Sequence, residues 1–302
     1  MKLIDVQRVW DRGEHNAFTD LCFYKERFWL VFREARDHYS EDGVVVVLCS
    51  DDGKQWQLAA EIRLQAVDLR DPKIVVTPDN QLLLTVAGPD YVNNGALRNF
   101  LSWSVDGEKW SSLKHVGADD CWIWRTRFIN NVGYGVAYDY RGQSDVTALY
   151  RLDENNDYQC YVDNFFVGNY PNEHDICLLD DGTLLCLLRR DGEHNHAQLG
   201  LSAPPYIEWR WQDLGCRIGG PVILPLRDGR LLAALRLHDP ERTSLCWLQL
   251  VDGQYQLEEA MILPSAGDTS YPGLVQQENI IYCSYYSSHE EKTAIYVAQL
   301  TL

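Results

Sequence analysis

A spacing of about fifty residues constrains this 302-residue chain more than any single motif. The apolar runs "RFWLVFR", "QLLLTVA", "GYGVAY", "TLLCLLR", "RLLAALR" and "IIYCSY" end at Arg33, Ala87, Tyr138, Arg189, Arg236 and Tyr285. The steps between these ends are 54, 51, 51, 47 and 49 residues. Each run follows another apolar segment after a short polar turn, as in "ICLLDDGTLLCLLR" and "VILPLRDGRLLAALR". Asp-Gly and Asp-Asn turns between apolar runs mark β-hairpins. No helical periodicity competes with this pattern. Six units, each long enough for four strands, predict an all-β fold, a six-bladed β-propeller. No Pro/Gly/Ser-rich linker divides residues 1–302, so the expectation is one propeller domain.

The outer parts of the units repeat as well. "VVVVLCSDDGKQW" and "FLSWSVDGEKW" share S-x-D-G-x-x-W, at Ser50–Trp56 and Ser104–Trp110. Asp and Ser side chains can bond turn amides, Gly takes a left-handed dihedral, and Trp packs below. These boxes read as structural turns. "LSAPPYIEWRW" near Ser202 reads as a degenerate third copy.

A composition of 46% hydrophobic residues supports a large core, and no stretch approaches the 18 apolar residues of a membrane span. The formal net charge of −17 argues against nucleic acid or an anionic membrane as partner. The first residues lack the apolar core of a secretory signal. The nine cysteines are odd in number, sit mostly inside apolar runs and form no C-x-x-C pair. These features predict a reduced, cytoplasmic protein. His194 and His196 have no nearby Cys or carboxylate ligands at metal-site spacing, so no metal or cofactor is predicted.

The repeat gives the arginines meaning. A cation at the end of a core strand is costly unless paired. Arg189 lies seven residues after Gly182, Arg236 lies seven after Gly229, and Arg33 closes its run in the same way. Inner strands of a propeller ring one axis, so these three side chains are predicted to converge. Arg190, one residue along, points elsewhere by strand alternation. Some 14 to 16 residues before the strand ends stand Asp71, Glu173, Gly220 and Tyr271, the starts of the inner strands. A strand start and the end of its antiparallel partner share one edge, which places all of these at one mouth. The arginines either plug the channel in structural ion pairs or clamp a ligand carboxylate, which Arg binds bidentately. Three arginines with only a few acids at the same mouth favour the clamp.

These residues resemble the sialidase (neuraminidase) superfamily of glycoside hydrolases, among its Asp-box, or BNR-repeat, members. "VFREA" resembles that family's first-arginine motif, with Glu34 and Ala35 in place of Ile-Pro. "RDPKI" is similar to the segment with the acid/base aspartate, "NEHDICLLDDGTLLCLLR" to the segment with a glutamate and the second arginine, "RLLAALR" to the third-arginine strand, and "SYPGLV" to the segment with the nucleophilic tyrosine. The resemblance implies a sialidase-like propeller and a retaining exo-glycosidase. Its glycone would be a terminal acidic sugar, sialic acid or a related ulosonic or uronic acid, so the expected partner is an acidic carbohydrate or glycoconjugate. Tyr271 would attack, Glu173 would take its proton, and Asp71 would protonate the leaving oxygen. Arg33, Arg189 and Arg236 would hold the carboxylate. Arg70, beside Asp71, and His38, Arg125, Tyr285 and His289 are further substrate-binding candidates. Trp122 and Trp124, next to Arg125 and Arg127, are placed either as a sugar platform or in the core. Two other readings stand: a lyase or uronate-directed glycosidase using His38 or His289, and a carbohydrate-binding propeller without catalysis.

Overall fold

Five of the repeated hairpins grow into four-stranded antiparallel sheets, and the third into a sheet of five strands. The computed structural model describes all residues, 1–302. Strand β1 (Lys2–Trp10) comes first. The first blade holds β2 (His15–Tyr24), β3 (Arg27–Ala35), β4 (Val44–Ser50) and β5 (Gln57–Ile62). The second holds β6 (Arg70–Val76), β7 (Leu82–Asp90), β8 (Ala96–Ser104) and β9 (Lys114–Val116). The third holds β10 (Cys121–Ile123), β11 (Arg127–Ile129), β12 (Val132–Asp139), β13 (Val146–Leu152) and β14 (Tyr158–Val167). The fourth holds β15 (Pro171–Leu178), β16 (Leu184–Arg190), β17 (Gln198–Ser202) and β18 (Arg210–Asp213). The fifth holds β19 (Ile218–Pro225), β20 (Leu231–Leu237), β21 (Arg242–Val251) and β22 (Gln254–Ile262). The sixth holds β23 (Thr269–Gln277), β24 (Ile280–Ser287) and β25 (Ala294–Thr301), and β1 pairs with β25 to complete it. The fold is a six-bladed β-propeller whose ring closes by joining chain ends in one sheet.

Blades cover one another on both faces, so the middle strands are apolar without alternation. Every residue of β4 ("VVVVLCS") and β7 is buried. Burying such side chains contributes roughly 1.5–3 kcal/mol each, the main stabilising term. All nine cysteines are free, and Cys49, Cys177, Cys186, Cys246 and Cys283 are buried in these layers.

Both S-x-D-G-x-x-W segments fold alike. Asp52 Oδ1 accepts from the amides of Lys54 and Gln55, and Asp106 Oδ1 from those of Glu108 and Lys109. A side chain at Gly53 would meet the Tyr282 ring, and one at Gly107 the Trp29 ring. The turns therefore lock a blade to the preceding one. In the degenerate copy Trp209 still donates to the carbonyl three residues back, at Tyr206, as Trp110 does to Gly107.

One device aims the mouth residues. Five innermost strands carry an extra residue in their register: between Ala17 and Asp20, Arg70 and Lys73, Pro171 and His174, Gly219 and Val222, and Ser270 and Gly273. Such bulges bend a strand and redirect a side chain. In four of them the first bulged residue is left-handed: Phe18 at φ +63, Asp71 at +45, Gly220 at +56 and Tyr271 at +48. In the third blade the innermost strand is broken instead, and β10 and β11 each pair with β12.

Candidate active site

The redirected side chains meet in a cleft of about 270 Å³. Asp71, Glu173, Tyr271, Arg189, Arg70 and His38 line it, with an aromatic collar that includes Phe18, Tyr39, Trp122, Tyr138, Tyr140 and Tyr170. Size does not single it out. A groove of about 650 Å³ around Ser202–Arg210 is larger, but it offers one carboxylate, Glu208, and neither tyrosine nor histidine.

Tyr271 and Glu173 form the centre. The Tyr271 hydroxyl donates to Glu173 Oε1 at 2.5 Å. Arg189 Nη1 donates to Glu173 Oε2 at 2.7 Å and to the Tyr271 oxygen at 3.0 Å. The Gly220 amide also donates to Glu173 Oε2, at 2.7 Å. A Cβ at Gly220 would stand 2.8 Å from Tyr271 Cγ, so only glycine allows this approach. Arg236 lies with its guanidinium carbon 5.3 Å from the Tyr271 ring centroid. Burial pushes the Tyr271 phenol well above its ordinary range, the Glu173 charge adds to this, and Arg189 and Arg236 oppose it. The phenol is therefore neutral at rest and has an acceptor in place for its proton.

Asp71 is buried, and its Oδ1 has no hydrogen-bond partner. Burial raises its pKa to about 6, against the pull of Lys73 and Arg70 and with a smaller contribution from the Glu173 charge. The sequence sets Arg70 and Lys73 against a protonated Asp71, and the structure shows why burial prevails. Arg70 pairs with Asp68 at 3.0 Å and donates to the His38 carbonyl. Lys73 donates to the Thr19 carbonyl, lies over the Trp124 ring, and is itself lowered to about 8, first by burial and then by Arg125.

The three matched arginines do not share the cleft. Only Arg189 lines it. Arg33 is fully buried. Its Nε pairs with Asp68 at 2.6 Å, Nη1 donates to the Asp37 carbonyl, and Nη2 lies 3.4 Å from both oxygens of Ser40. The Arg36–Gly43 segment thus seals Arg33 off, which corrects its placement as a free substrate ligand. Arg236 donates to the Thr269 carbonyl and to the Tyr286 hydroxyl and lies 3.4 Å from Asp268.

Three further candidates also fall outside the cleft. Arg125 is 1% exposed and holds Asp20 through Nη1 at 3.0 and 3.1 Å. With Asp175 and Arg127, paired at 2.6 Å, it belongs to an ion-pair network among the inner strands. Tyr285 packs on Tyr296 and donates to the Pro264 carbonyl, whereas Tyr286, also fully buried, donates to Asp268 and packs against Tyr271. The register explains the shift: Ser270 pairs with Tyr286 as Gly219 pairs with Arg236. His289 bonds Ser287 and packs on Tyr296. Trp122 lines the cleft, while Trp124 is buried beneath Lys73 and Tyr271. Arg190 points away, to the His196 carbonyl and Asp213.

Several site residues escape the sequence reading. Phe18 stands 15 residues before Arg33, where the spacing rule points, but no motif marks it. Asp268, His15 and Asp191 carry no spacing signal. Asp268 Oδ2 accepts from His38 Nδ1 at 2.8 Å and from His15 Nε2 at 3.1 Å. These three side chains are close enough to share a metal ion. Arg33 lies 3.4 Å from the other nitrogen of His15, and Arg236 3.4 Å from Asp268, so a cation there would meet two guanidiniums. Hydrogen bonding accounts for the cluster better than metal ligation.

No family model matches the sequence, and no curated protein does. The fold is similar to solved structures. A protein of unknown function from Dyadobacter fermentans superposes with a TM-score of 0.85 at 18% identity, covering 100% of this chain and 99% of that one. An alpha-L-arabinofuranosidase from Fusarium graminearum gives 0.78 at 12% identity, covering 100% and 99%. A sialidase from Trypanosoma rangeli gives 0.72 at 12% identity, covering 95% of this chain and 55% of that one. The neighbours with known activity are glycoside hydrolases on propeller folds, and at these identities the likeness speaks for the fold.

Proposed function

We propose that this protein is a retaining exo-glycosidase with Tyr271 as nucleophile. The 2.5 Å contact between the Tyr271 hydroxyl and Glu173, bridged by Arg189, carries the reading. A structural ion pair of Glu173 with Arg189 has no need of a buried phenol. Nucleophilic catalysis by tyrosine needs an adjacent base and positive charge around the oxygen.

In the first step Tyr271 Oη bonds to the anomeric carbon, its proton passes to Glu173, and the bond to the leaving oxygen breaks as Asp71 donates its proton. Arg189 and Arg236 stabilise charge developing on the phenolic oxygen. In the second step Asp71, now a carboxylate, takes a proton from water. The water oxygen attacks the anomeric carbon, and Tyr271 departs and recovers its proton from Glu173. Two displacements leave the anomeric configuration unchanged.

The test is a panel of fluorinated aryl glycosides, followed by mass spectrometry of the intact and digested protein. A glycosyl adduct on Tyr271, and loss of at least a hundredfold in kcat for Tyr271→Phe, are expected. An inverted product by NMR, or an adduct on a carboxylate, would refute the mechanism. Among the histidine-based alternatives, only His38 reaches the cleft.

A further inference from the structure

The anion clamp expected from the sequence is already filled from within the chain. Each matched arginine meets a carboxylate supplied by another segment. Arg33 has Asp68 at 2.6 Å, Arg189 has Glu173 at 2.7 Å and Asp191 at 2.8 Å, and Arg236 has Asp268 at 3.4 Å. Asp268 is the informative member. It lies three residues before Tyr271 and accepts from Tyr286 at 2.7 Å, from His38 at 2.8 Å and from His15 at 3.1 Å. Arginine, tyrosine and two histidines converging on one carboxylate form the kind of seat that a ligand carboxylate would otherwise take.

The ion pairs agree. Around the cleft Arg33 and Arg70 share Asp68, Arg189 holds Glu173 and shares Asp191 with Arg217, and Arg236 meets Asp268. Each of these guanidiniums already has a carboxylate from within a chain whose formal net charge is −17. An anionic glycone would have to compete with those carboxylates, beside an Asp268 side chain that is 30% exposed. A hydroxyl faces no such cost. It can donate to Asp268, which is tied to the cleft through His38, while the aromatic collar suits the apolar face of a sugar.

We infer that the cleft accepts an uncharged glycone, because Asp268 occupies the seat of a substrate carboxylate and, with His38, reads a sugar hydroxyl. This deepens the glycosidase reading and rests on it, but it can be tested apart from turnover. Calorimetric titration of the wild-type protein with L-arabinose, D-galactose, D-glucuronate and N-acetylneuraminate supplies the binding arm. The neutral sugars should bind at least tenfold more tightly than the two acids.

Asp268→Asn keeps the shape and the acceptor for Tyr286 but removes the charge. It should gain at least tenfold in affinity for the two acids. Asp191→Asn, which removes one of the two carboxylates on Arg189 and the one on Arg217, is the second variant should the first fail to fold. Wild-type protein that binds an acid as tightly as a neutral sugar, or charge-removing variants that gain nothing, would overturn the inference. Aryl glycosides of the same sugars form the turnover arm. Hydrolysis of the sialoside or glucuronide alone defeats the inference and keeps the glycosidase. No hydrolysis across a broad panel defeats the glycosidase, and the binding arm still decides the inference.

Discussion

Replacing Asp71 by asparagine separates its catalytic role from its thermodynamic cost. The carboxyl is buried, one oxygen has no partner, and its pKa rises from 3.8 to about 6. An unfolded chain releases this proton near the ordinary carboxyl value, whereas the folded chain holds it up to the raised one. Between those two values the folded state binds more protons, so wild-type stability falls as pH rises through that window, and the deficit is complete above it. A shift of roughly two units corresponds to about 3 kcal/mol. Asparagine stays neutral throughout and tolerates the left-handed backbone that Asp71 adopts. Asp71→Asn should therefore match the wild type at about pH 4 and exceed it by roughly 3 kcal/mol at about pH 8, read from denaturant midpoints. Activity should move the other way. A natural leaving group needs the proton, so kcat should fall by roughly 10²–10⁴. A dinitrophenyl leaving group does not need it, and the first step should survive. Wild-type kcat/KM should lose activity on the alkaline side near pH 6. A stability difference that is the same at both pH values, or full activity of the variant on an unactivated glycoside, would refute the assignment.

Other outcomes follow from the same geometry. Gly220→Ala places a Cβ 2.8 Å from Tyr271 Cγ at a residue with φ +56. It should cost roughly 1–2 kcal/mol and lower kcat at least tenfold, whereas a silent variant would show that Tyr271 needs no fixed position. Arg33→Met leaves Asp68 buried with Arg70 as its remaining ionic partner, and a loss of about 3–5 kcal/mol by thermal melting is expected. A stable protein that has lost only substrate affinity would instead restore Arg33 as a ligand. Tyr286→Phe removes bonds to Asp268 and Arg236 and should lower kcat/KM. Tyr285→Phe removes one bond to Pro264 and should cost about 1 kcal/mol with kinetics unchanged; the reverse pattern would contradict the register.

Much of the architecture is legible because its signals are local. The turns "DDG" and "RDG", the apolar runs beside them and their spacing set six hairpins before any contact between blades is considered. The same counting brings Asp71, Glu173 and Tyr271 to one level, and all three line the cleft. Counting fails at Tyr285, where the last turn differs in length and one residue of register exchanges the two faces of the strand. It fails differently at Arg125, whose strand breaks and buries it against Asp20.

The sequence by itself determined the number of blades, the hairpin in each, and which positions ring the axis, because turn chemistry and strand alternation act over a few residues. Only the tertiary structure decided what those positions are free to do. Whether an arginine is a ligand or a plug depends on carboxylates a few ångströms away, and these come from other parts of the chain: Asp68 for Arg33, Glu173 for Arg189, Asp268 for Arg236. Coulombic pairing is a matter of distance in space, and no spacing along the chain records it.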